Sequence, residues 1–316
     1  MKLERASIEI FGGCNYHCTM CPQTTGRGKE WLRKMPMELF INLLDQIADK
    51  HGRPVINLQG SGEPTLAKDL PVYIQECSKR NLPTYIYSNG YLMQDSFMRD
   101  CFDAGLKHFR FSIIGYDQMS YKQSMGHDNF DLVLENTIRA KEYAGYDKVS
   151  SYHLVLSPEN KQKEIEAYQN NFIDPAGVQA DIWAQHNWSG NIASDRIKDY
   201  TKARTCGRPM APEITIRAGG LDGKRGAVVP CCQVLGPPNE SKSVLGHTSQ
   251  NSIQDIFDSK EYQTIREMHN NKDWPDYCQG CDFLFEDPEV LVWTNRNSKL
   301  DTYLGTEIDL KEFRAN

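Results

Sequence analysis

Residues 6–21, ASIEIFGGCNYHCTMC, decide the fold of this chain. The stretch begins with an alternation of apolar and polar residues that is typical of a strand, and it passes through two glycines into Cys14, Cys18 and Cys21. Three thiolates in a C-x3-C-x2-C spacing on one short loop can face a common point. An iron–sulfur cube normally takes four thiolates, so three leave one iron with open coordination positions for a small chelating molecule. A zinc site with His17 as the fourth ligand is the alternative.

The alternation of strand and helix continues outward from this stretch. Further strand patterns lie at 55–64, 83–90, 108–115, 148–156 and 180–188. Amphipathic helix patterns separate the strands at 36–52, 70–81, 95–105, 129–145 and 160–177, with Asp95 as a candidate N-cap. This order predicts parallel β/α units with right-handed crossovers, either as a partial barrel or as an open doubly wound sheet. Functional loops then follow the carboxyl ends of the strands, where glycine-rich turns lie after the first three.

Composition and charge exclude several classes of protein. The chain has 316 residues, of which 39% are hydrophobic, and a net charge of −6 from 36 Lys and Arg against 42 Asp and Glu. The acidic balance argues against a nucleic-acid partner, which needs a basic surface. No apolar run approaches the ~20 residues of a membrane span, and the charged start MKLERAS is unlike a secretory signal. We therefore expect a cytoplasmic protein with no membrane partner, whose cysteines stay reduced.

After residue 190 the pattern changes, and a second group of cysteines follows. Two short strands at 214–220 and 224–232 predict a hairpin, and 252–270 predicts one or two helices. The cysteines of this group are Cys206, Cys231, Cys232, Cys278 and Cys281. Their C-x2-C pair with two distant partners suits either a four-cysteine zinc knot or an iron–sulfur cluster. Cys77 and Cys101 lie in helix patterns and are predicted to pack in the core.

The cysteine loop and several turns resemble those of the radical S-adenosylmethionine (radical SAM) superfamily. Besides the C-x3-C-x2-C loop, residues 59–64, 88–90 and 112–115 resemble that superfamily's GGEP, TNG-like and S-I-D-G elements. In such enzymes the open iron binds SAM, and one-electron reduction cleaves SAM to methionine and a 5′-deoxyadenosyl radical, which abstracts hydrogen from the substrate. Two positions depart from the pattern, because Ser61 replaces a usual glycine and Ile114 stands where an acidic residue is common.

The resemblance implies a set of SAM contacts around these turns. They are Tyr16, Gly60, Ser61, Gly62, Glu63, Pro64, Ser88, Asn89, Ser112, Asn187 and Trp188. Glu63 and the backbone of its turn correspond to the element that holds the methionyl ammonium, and Ser112 corresponds to a ribose or carboxylate contact. Trp188 has packing at the rim as its alternative role. The implied cofactor is a [4Fe–4S] cluster held by the three cysteines of the first loop, with SAM on its open iron.

The second cysteine group resembles the SPASM/twitch extension that follows many radical SAM cores. Its cysteines are enough for one auxiliary [4Fe–4S] cluster and too few for the two of the longer form. The implied ligands are Cys206, Cys231, Cys278 and Cys281. Cys232 is the alternative to Cys231, because sequence does not separate adjacent cysteines. We expect an α/β fold with a radical SAM core at 1–195, built as a partial (β/α)6 barrel of parallel strands, and a small α+β SPASM/twitch-like domain at 196–316.

The twitch-like form implies an oxidoreductase that dehydrogenates a small polar molecule, such as a sugar or aminocyclitol, with the auxiliary cluster as electron acceptor. We expect no separate peptide-recognition domain before residue 6, and this favours a small-molecule substrate. A general base would assist, and the candidates near strand ends are Arg110, Tyr152, His153, His186 and Arg204. The alternatives are a peptide- or protein-modifying radical SAM enzyme and an iron–sulfur electron carrier without SAM turnover.

A reductant such as flavodoxin or ferredoxin is a further implied partner. Lys29, Arg33 and Lys34 follow the cysteine loop and form a small basic patch. This patch is either a docking site for a phosphate, a carboxylate or an acidic flavodoxin, or a solvated charged face. We expect the solvated face.

Overall fold

Six neighbouring parallel strands form the centre of the fold, in the order in which they occur along the chain. They are β1 (Arg5–Ile8), β2 (Val55–Asn57), β3 (Thr84–Ser88), β4 (His108–Ser112), β5 (Val149–Val155) and β6 (Gln179–Ala184). The computed structural model describes residues 2–24, 29–193, 203–234, 240–284, 291–296, 300–301 and 307–308. In this part of the chain β1 and β6 do not pair with each other, so hydrogen bonds do not close the sheet. The predicted α/β class, with a partial barrel of parallel strands, is confirmed.

Helices connect the strands. They are α1 (Met37–His51), α2 (Leu70–Lys79), α3 (Asp95–Asp103), α4 (Gln118–Met125), α5 (Phe130–Ala144), α6 (Lys161–Tyr168) and α7 (Asp174–Ala176). A π-helical turn at Gln169–Ile173 joins the last two. α1 shows why the apolar spacing predicts these elements, because Phe40, Leu43, Leu44 and Ile47 share one face and are all buried in the core. Each such side chain contributes about 1.5–3 kcal/mol by leaving water.

Three local predictions differ from the structure. Helix α4 was not predicted, since its sequence has no sustained apolar period. A capping box formed by Asp117 and Ser120 starts it instead. The strand predicted at 55–64 ends after 3 residues, because the chain turns at once toward the cysteine loop. Helix α3 begins at Asp95 itself, and its N-cap is Gln94.

The C-terminal region extends the same sheet on both sides. Its strands are β7 (Glu213–Arg217), β8 (Ala227–Val229), β9 (Gly246–His247) and β10 (Leu291–Thr294). β7 pairs with β1 in parallel and with β8 in antiparallel fashion, so the predicted hairpin is confirmed. β10 was not predicted, and it pairs antiparallel with β6. The predicted boundary between residues 195 and 196 lies outside the described residues, and the division into two domains stays a prediction.

The rest of the C-terminal region is helical or forms a separate small ladder. The helices are α8 (Glu240–Ser243), α9 (Ile253–Phe257) and α10 (Lys260–Asn270), so the segment predicted at 252–270 holds two helices. β11 (Leu300–Asp301) and β12 (Glu307–Ile308) pair with each other. No helix of the described residues has both the length and the apolar character that a membrane crossing requires.

Candidate active site

A cavity of about 360 Å³ brings most of the predicted site residues together. Cys14, Cys18 and Cys21 all line it. The predicted SAM contacts on its wall are Tyr16, Gly60, Ser61, Gly62, Glu63, Ser88, Asn89, Ser112 and Trp188. Pro64 and Asn187 do not line it. The volume lies within the range of about 300–1,000 Å³ that is usual for small-molecule sites.

Helix α4 supports the cysteine loop from behind. The backbone N–H of Thr19 donates to the carbonyl of Ser124 at 2.8 Å. The hydroxyl of Tyr121 donates to that of Tyr16 at 3.2 Å. Burial raises the pKa of Tyr16, so its hydroxyl stays protonated beside the thiols. Sequence reasoning missed this support because it missed the helix.

Glu63 ties the turn after β2 to the turn after β3. Its carboxylate accepts hydrogen bonds from the N–H and hydroxyl of Thr65 at 3.0 and 2.7 Å, from the hydroxyl of Ser88 at 2.7 Å and from the N–H of Asn89 at 2.9 Å. Burial raises the pKa of this carboxyl despite these four bonds. Gly62 is required beside it, because a Cβ there would lie 2.5 Å from backbone atoms of Phe11, Gly12 and Gly13.

A buried network of charged side chains contacts the turn after β2. Glu9 is fully buried, and its Oε1 lies 2.9 Å from Nε of Arg33 while its Oε2 lies 3.6 Å from a guanidinium nitrogen of Arg217. Oε2 also accepts the N–H of Ser61 at 2.7 Å. Burial alone would raise the pKa of Glu9, but the two guanidinium charges and the bonds from Ser61 outweigh it and hold it at about 2.

The expected solvated basic patch is therefore wrong for Arg33. Its side chain is 6% exposed and is paired with Glu9. Lys34 is exposed and pairs with Asp69 at 2.6 Å. The side chain of Lys29 lies outside the described residues. The local sequence gave no sign of the pairing, because Arg33 and Glu9 are far apart along the chain.

The candidate general bases divide into two groups. Arg110, Tyr152 and His186 line the cavity. His153 points to the opposite side of β5 from Tyr152, as strand alternation requires, and its Nε2 lies 2.8 Å from Oε1 of Glu164 with both side chains buried. Arg204 is exposed, and its backbone N–H donates to Leu284 at 2.7 Å.

The second cysteine group separates into four thiols that do not line the cavity and one that does. Burial raises the pKa of the Cys278 thiol, and the charges of Cys231, Cys206 and Cys281 raise it further, so these four are electrostatic neighbours. Cys232 lines the cavity instead, and its sulfur accepts a hydrogen bond from Arg208 at 3.2 Å. The sequence left Cys231 and Cys232 undecided, and both lie in the turn region that follows the end of β8 at Val229.

Asn187 connects the end of the β6 region to the last cysteine pair. Its N–H donates to Asp282 at 3.0 Å, and its side-chain amide donates to the carbonyl of Gly280 at 2.7 Å. The next residue, Trp188, has its ring 4.4 Å from that of His186. Asn187 thus joins the two regions, while Trp188 forms part of the cavity wall.

The donor sets fit clusters better than single ions. In the described part of the chain, no three His, Cys, Asp or Glu side chains are grouped to hold one metal ion. A tetrahedral zinc site would need its sulfurs about 2.3 Å from one centre. Four cysteines are the usual ligand set of a [4Fe–4S] cluster, and burial and mutual charge effects make Cys206, Cys231, Cys278 and Cys281 electrostatic neighbours. His17 does not line the cavity, so the first loop offers three thiols beside open space.

Comparisons with known proteins agree with this geometry. Residues 8–169 match the radical SAM superfamily, and residues 223–282 match SPASM, an iron–sulfur cluster-binding domain. The chain is 23% identical, over 93% of both chains, to the tungsten-containing aldehyde ferredoxin oxidoreductase cofactor-modifying protein of Pyrococcus furiosus.

Two solved structures share the fold. The crystal structure of BtrN in complex with AdoMet and 2-DOIA has a TM-score of 0.57 and 17% identity, covering 98% of this chain and 100% of that chain. Streptococcus suis SuiB bound to precursor peptide SuiA has a TM-score of 0.64 and 14% identity, covering 90% and 70%. The segments that match the two family models contain the cysteine loop, the turns after β2 to β4 and four cysteines of the second group, all but Cys206. The chain belongs to the radical SAM superfamily and carries a C-terminal SPASM domain.

Proposed function

We propose that this protein is an oxidoreductase that dehydrogenates a small polar, sugar- or aminocyclitol-like molecule bound in the cavity. One observation carries the proposal: the same cavity is lined by the cysteines of the first loop and by Cys232, the neighbour of Cys231 in the second group. A substrate held there would lie within reach of both regions. When bound, the first cluster with SAM supplies hydrogen-atom abstraction, and the auxiliary cluster supplies an electron acceptor.

The proposed ligands follow from the placement of the thiols. Cys14, Cys18 and Cys21 hold the first cluster, and Cys206, Cys231, Cys278 and Cys281 hold the auxiliary one. The SAM contacts are those predicted side chains and turns that line the cavity. A flavodoxin or ferredoxin is the proposed electron donor.

The two adjacent cysteines give a matched pair of variants. Cys231→Ala is expected to lower the iron content of the reconstituted protein from about eight to about four atoms per chain, because it removes an auxiliary ligand. Cys232→Ala is expected to keep about eight, because its thiol faces the cavity. Iron analysis with visible absorption checks both. Iron loss in the Cys232 variant alone would reverse the assignment, and about four iron with one zinc in the wild type would remove the auxiliary cluster.

Oxidation of a hydroxyl-bearing carbon removes one hydrogen atom, one proton and one electron. The protein must therefore supply a proton acceptor, and His186 is the proposed one. Its ring lines the cavity and is held between Trp188 at 4.4 Å and Phe283 at 5.4 Å, two residues after Cys281. Imidazole is suited to this role because its ordinary pKa lies near neutral. Arg110 has hydrogen-bond donors and no acceptor, so its proposed role is to orient the substrate.

His186→Gln is expected to lower the rate of product formation by roughly 10²–10⁴, the usual contribution of a general base. Substrate-dependent formation of 5′-deoxyadenosine should fall less, so the ratio of 5′-deoxyadenosine to product rises. Tyr152→Phe is the comparison variant and should keep the ratio near that of the wild type. If Tyr152→Phe raises the ratio and His186→Gln does not, the base is Tyr152.

The proposed reaction is tested with reconstituted protein, SAM, dithionite and a panel of sugars, polyols and aminocyclitols under anaerobic conditions. We expect one compound to stimulate 5′-deoxyadenosine formation and to be converted to a product that is lighter by two hydrogens. The amounts of 5′-deoxyadenosine and of this product should be equal. A stimulated substrate of unchanged mass would indicate epimerisation and contradict the proposal. Stimulation by peptides alone would support the peptide-modifying alternative.

A further inference from the structure

Three arginines and two glutamates line the cavity, namely Arg5, Arg110 and Arg217 against Glu63 and Glu213. The charge of Arg217 is shared with Glu9, as described above. The carboxylate of Glu63 is already used by the four hydrogen bonds described above. Burial raises the pKa of Glu213, and the positive charges of Arg208 and Arg5 oppose that rise. The negative charge of Glu213 is therefore offset by these two arginines. A cationic ligand would meet a positive wall.

The guanidinium of Arg110 is positioned by two aromatic rings and one carboxylate, and its Nε makes no hydrogen bond in the part of the chain that the structure describes. Its guanidinium lies 4.9 Å from the ring of Tyr87 and 5.5 Å from that of Tyr152. One of its terminal nitrogens donates to Asp181 at 3.1 Å. Its buried Nε has no hydrogen-bond partner among the described residues. A guanidinium fixed in this way is suited to a planar or tetrahedral anion.

Asp181 does not neutralise this group. The carboxylate is fully buried and also accepts from Arg296 at 3.2 Å and from the hydroxyl of Thr294 at 3.0 Å. Two guanidinium groups therefore share one carboxylate. Burial, together with the charges of Arg296 and Arg110, lowers the pKa of the neighbouring His108 to about 3, so His108 is neutral and the excess charge rests on the arginines.

Other cavity-lining side chains also lack partners. Asn57 is 1% exposed, and neither its amide nitrogen nor its amide oxygen has a hydrogen-bond partner in the described chain. The indole N–H of Trp183 has none either. Such groups are costly to leave unpaired when buried, and with Nε of Arg110 they supply more donors than acceptors. A ligand rich in acceptor oxygens satisfies this wall.

We infer that the substrate carries an anionic oxygen group, a carboxylate or a phosphate, that binds at Arg110, with its remaining polar groups directed to Asn57 and Trp183. This inference rests on the proposed function and narrows its substrate class, from sugar-like molecules in general to acidic ones. It places SAM and the acidic group on different parts of the wall, because Arg110 precedes the predicted SAM contact Ser112 by two residues on β4.

Anaerobic calorimetry on the reconstituted holoenzyme with SAM tests the inference with three probes: gluconate, glucose 6-phosphate and glucose. We expect at least one acid to bind about tenfold or more tightly than glucose, and the two acids to separate carboxylate from phosphate. Arg110→Gln should remove this preference, so that the acids bind no more tightly than glucose does. Arg110→Lys keeps the positive charge but loses the planar set of guanidinium donors, so it should retain part of the preference.

Controls separate recognition from folding and from SAM binding. Arg110→Gln leaves Asp181 with Arg296 and Thr294, and its thermal unfolding should remain cooperative. Arg139→Gln, on the exposed surface of α5 beside Glu135, should change no affinity. SAM affinity should stay within about twofold in all variants. Loss of SAM binding in Arg110→Gln, with acid binding intact, would assign Arg110 to SAM and overturn the inference.

The binding measurement is independent of turnover. Acid-selective binding that depends on Arg110, without any dehydrogenated product, would support the inference and remove the proposed function. Dehydrogenation of a neutral molecule, with acids binding no more tightly than glucose, would keep the proposed function and overturn the inference.

Discussion

Cys18→Ala is expected to abolish SAM cleavage and to remove about four of about eight iron atoms per chain. The reason is that Cys18 is one of only three thiols that the first loop presents to the cavity, so no spare ligand replaces it. Its sulfur lies 3.6 Å from that of Met125, and a thioether does not substitute for a thiolate as a cluster ligand. Formation of 5′-deoxyadenosine with dithionite should fall to the level of a protein-free control.

Cys77→Ala is the matched control for this loss. Cys77 is a free thiol like Cys18, but it is buried on α2 in the core, where burial raises the pKa of its thiol to about 12. The variant should keep both iron and SAM cleavage. Full SAM cleavage by the Cys18 variant would contradict the placement of the cluster in the first loop.

Glu9→Gln is expected to lower the free energy of unfolding by about 3–5 kcal/mol near neutral pH. The change keeps the shape of the side chain but leaves the buried guanidinium groups of Arg33 and Arg217 without their shared carboxylate. Glutamine has one acceptor oxygen and one NH2 group in place of two acceptor oxygens. When the NH2 group replaces Oε2, it faces the N–H of Ser61, and two donors then meet. Chemical denaturation of the two proteins measures the difference.

The effect of Glu9 should depend on pH in a defined direction. The pKa of Glu9 is lowered from 4.5 to about 2 in the folded chain, so its stabilisation is present above pH 4.5 and is lost as pH falls toward 2. The gap between wild type and Glu9→Gln should therefore close over that window. Glu135→Gln, an exposed partner of Arg139, is the control and should show no comparable gap at any pH. A small, pH-independent effect of Glu9→Gln would contradict the network.

The features that the sequence predicts correctly are those formed by residues close together along the chain. The strand and helix order, the cysteine loop and the turns after β2, β3 and β4 each lie within a few residues of their own signal. The side chains that surround them come from elsewhere. Glu9 contacts Arg217, 208 residues later, through the pairing of β1 with β7. Asp181 meets Arg296 only because β10 joins β6.

Two choices between adjacent residues could not be made from the sequence. Tyr152 and His153 are adjacent on β5 and both looked like candidate bases, but only Tyr152 lines the cavity. Cys231 and Cys232 are adjacent in the same way, and only Cys232 lines it. Strand register decides the first case, and it is fixed by the pairing of whole strands rather than by neighbouring residues. The second case is decided by the turn that follows β8, because both cysteines lie beyond Val229.

The most direct test of the central claim is the formation of 5′-deoxyadenosine by the anaerobically reconstituted wild-type protein with SAM and dithionite. We expect dithionite-dependent 5′-deoxyadenosine, which increases when the substrate is present. A fully reconstituted protein that holds its iron but forms no 5′-deoxyadenosine, with or without candidate substrates, would instead be an iron–sulfur electron carrier and would contradict SAM cleavage at this site.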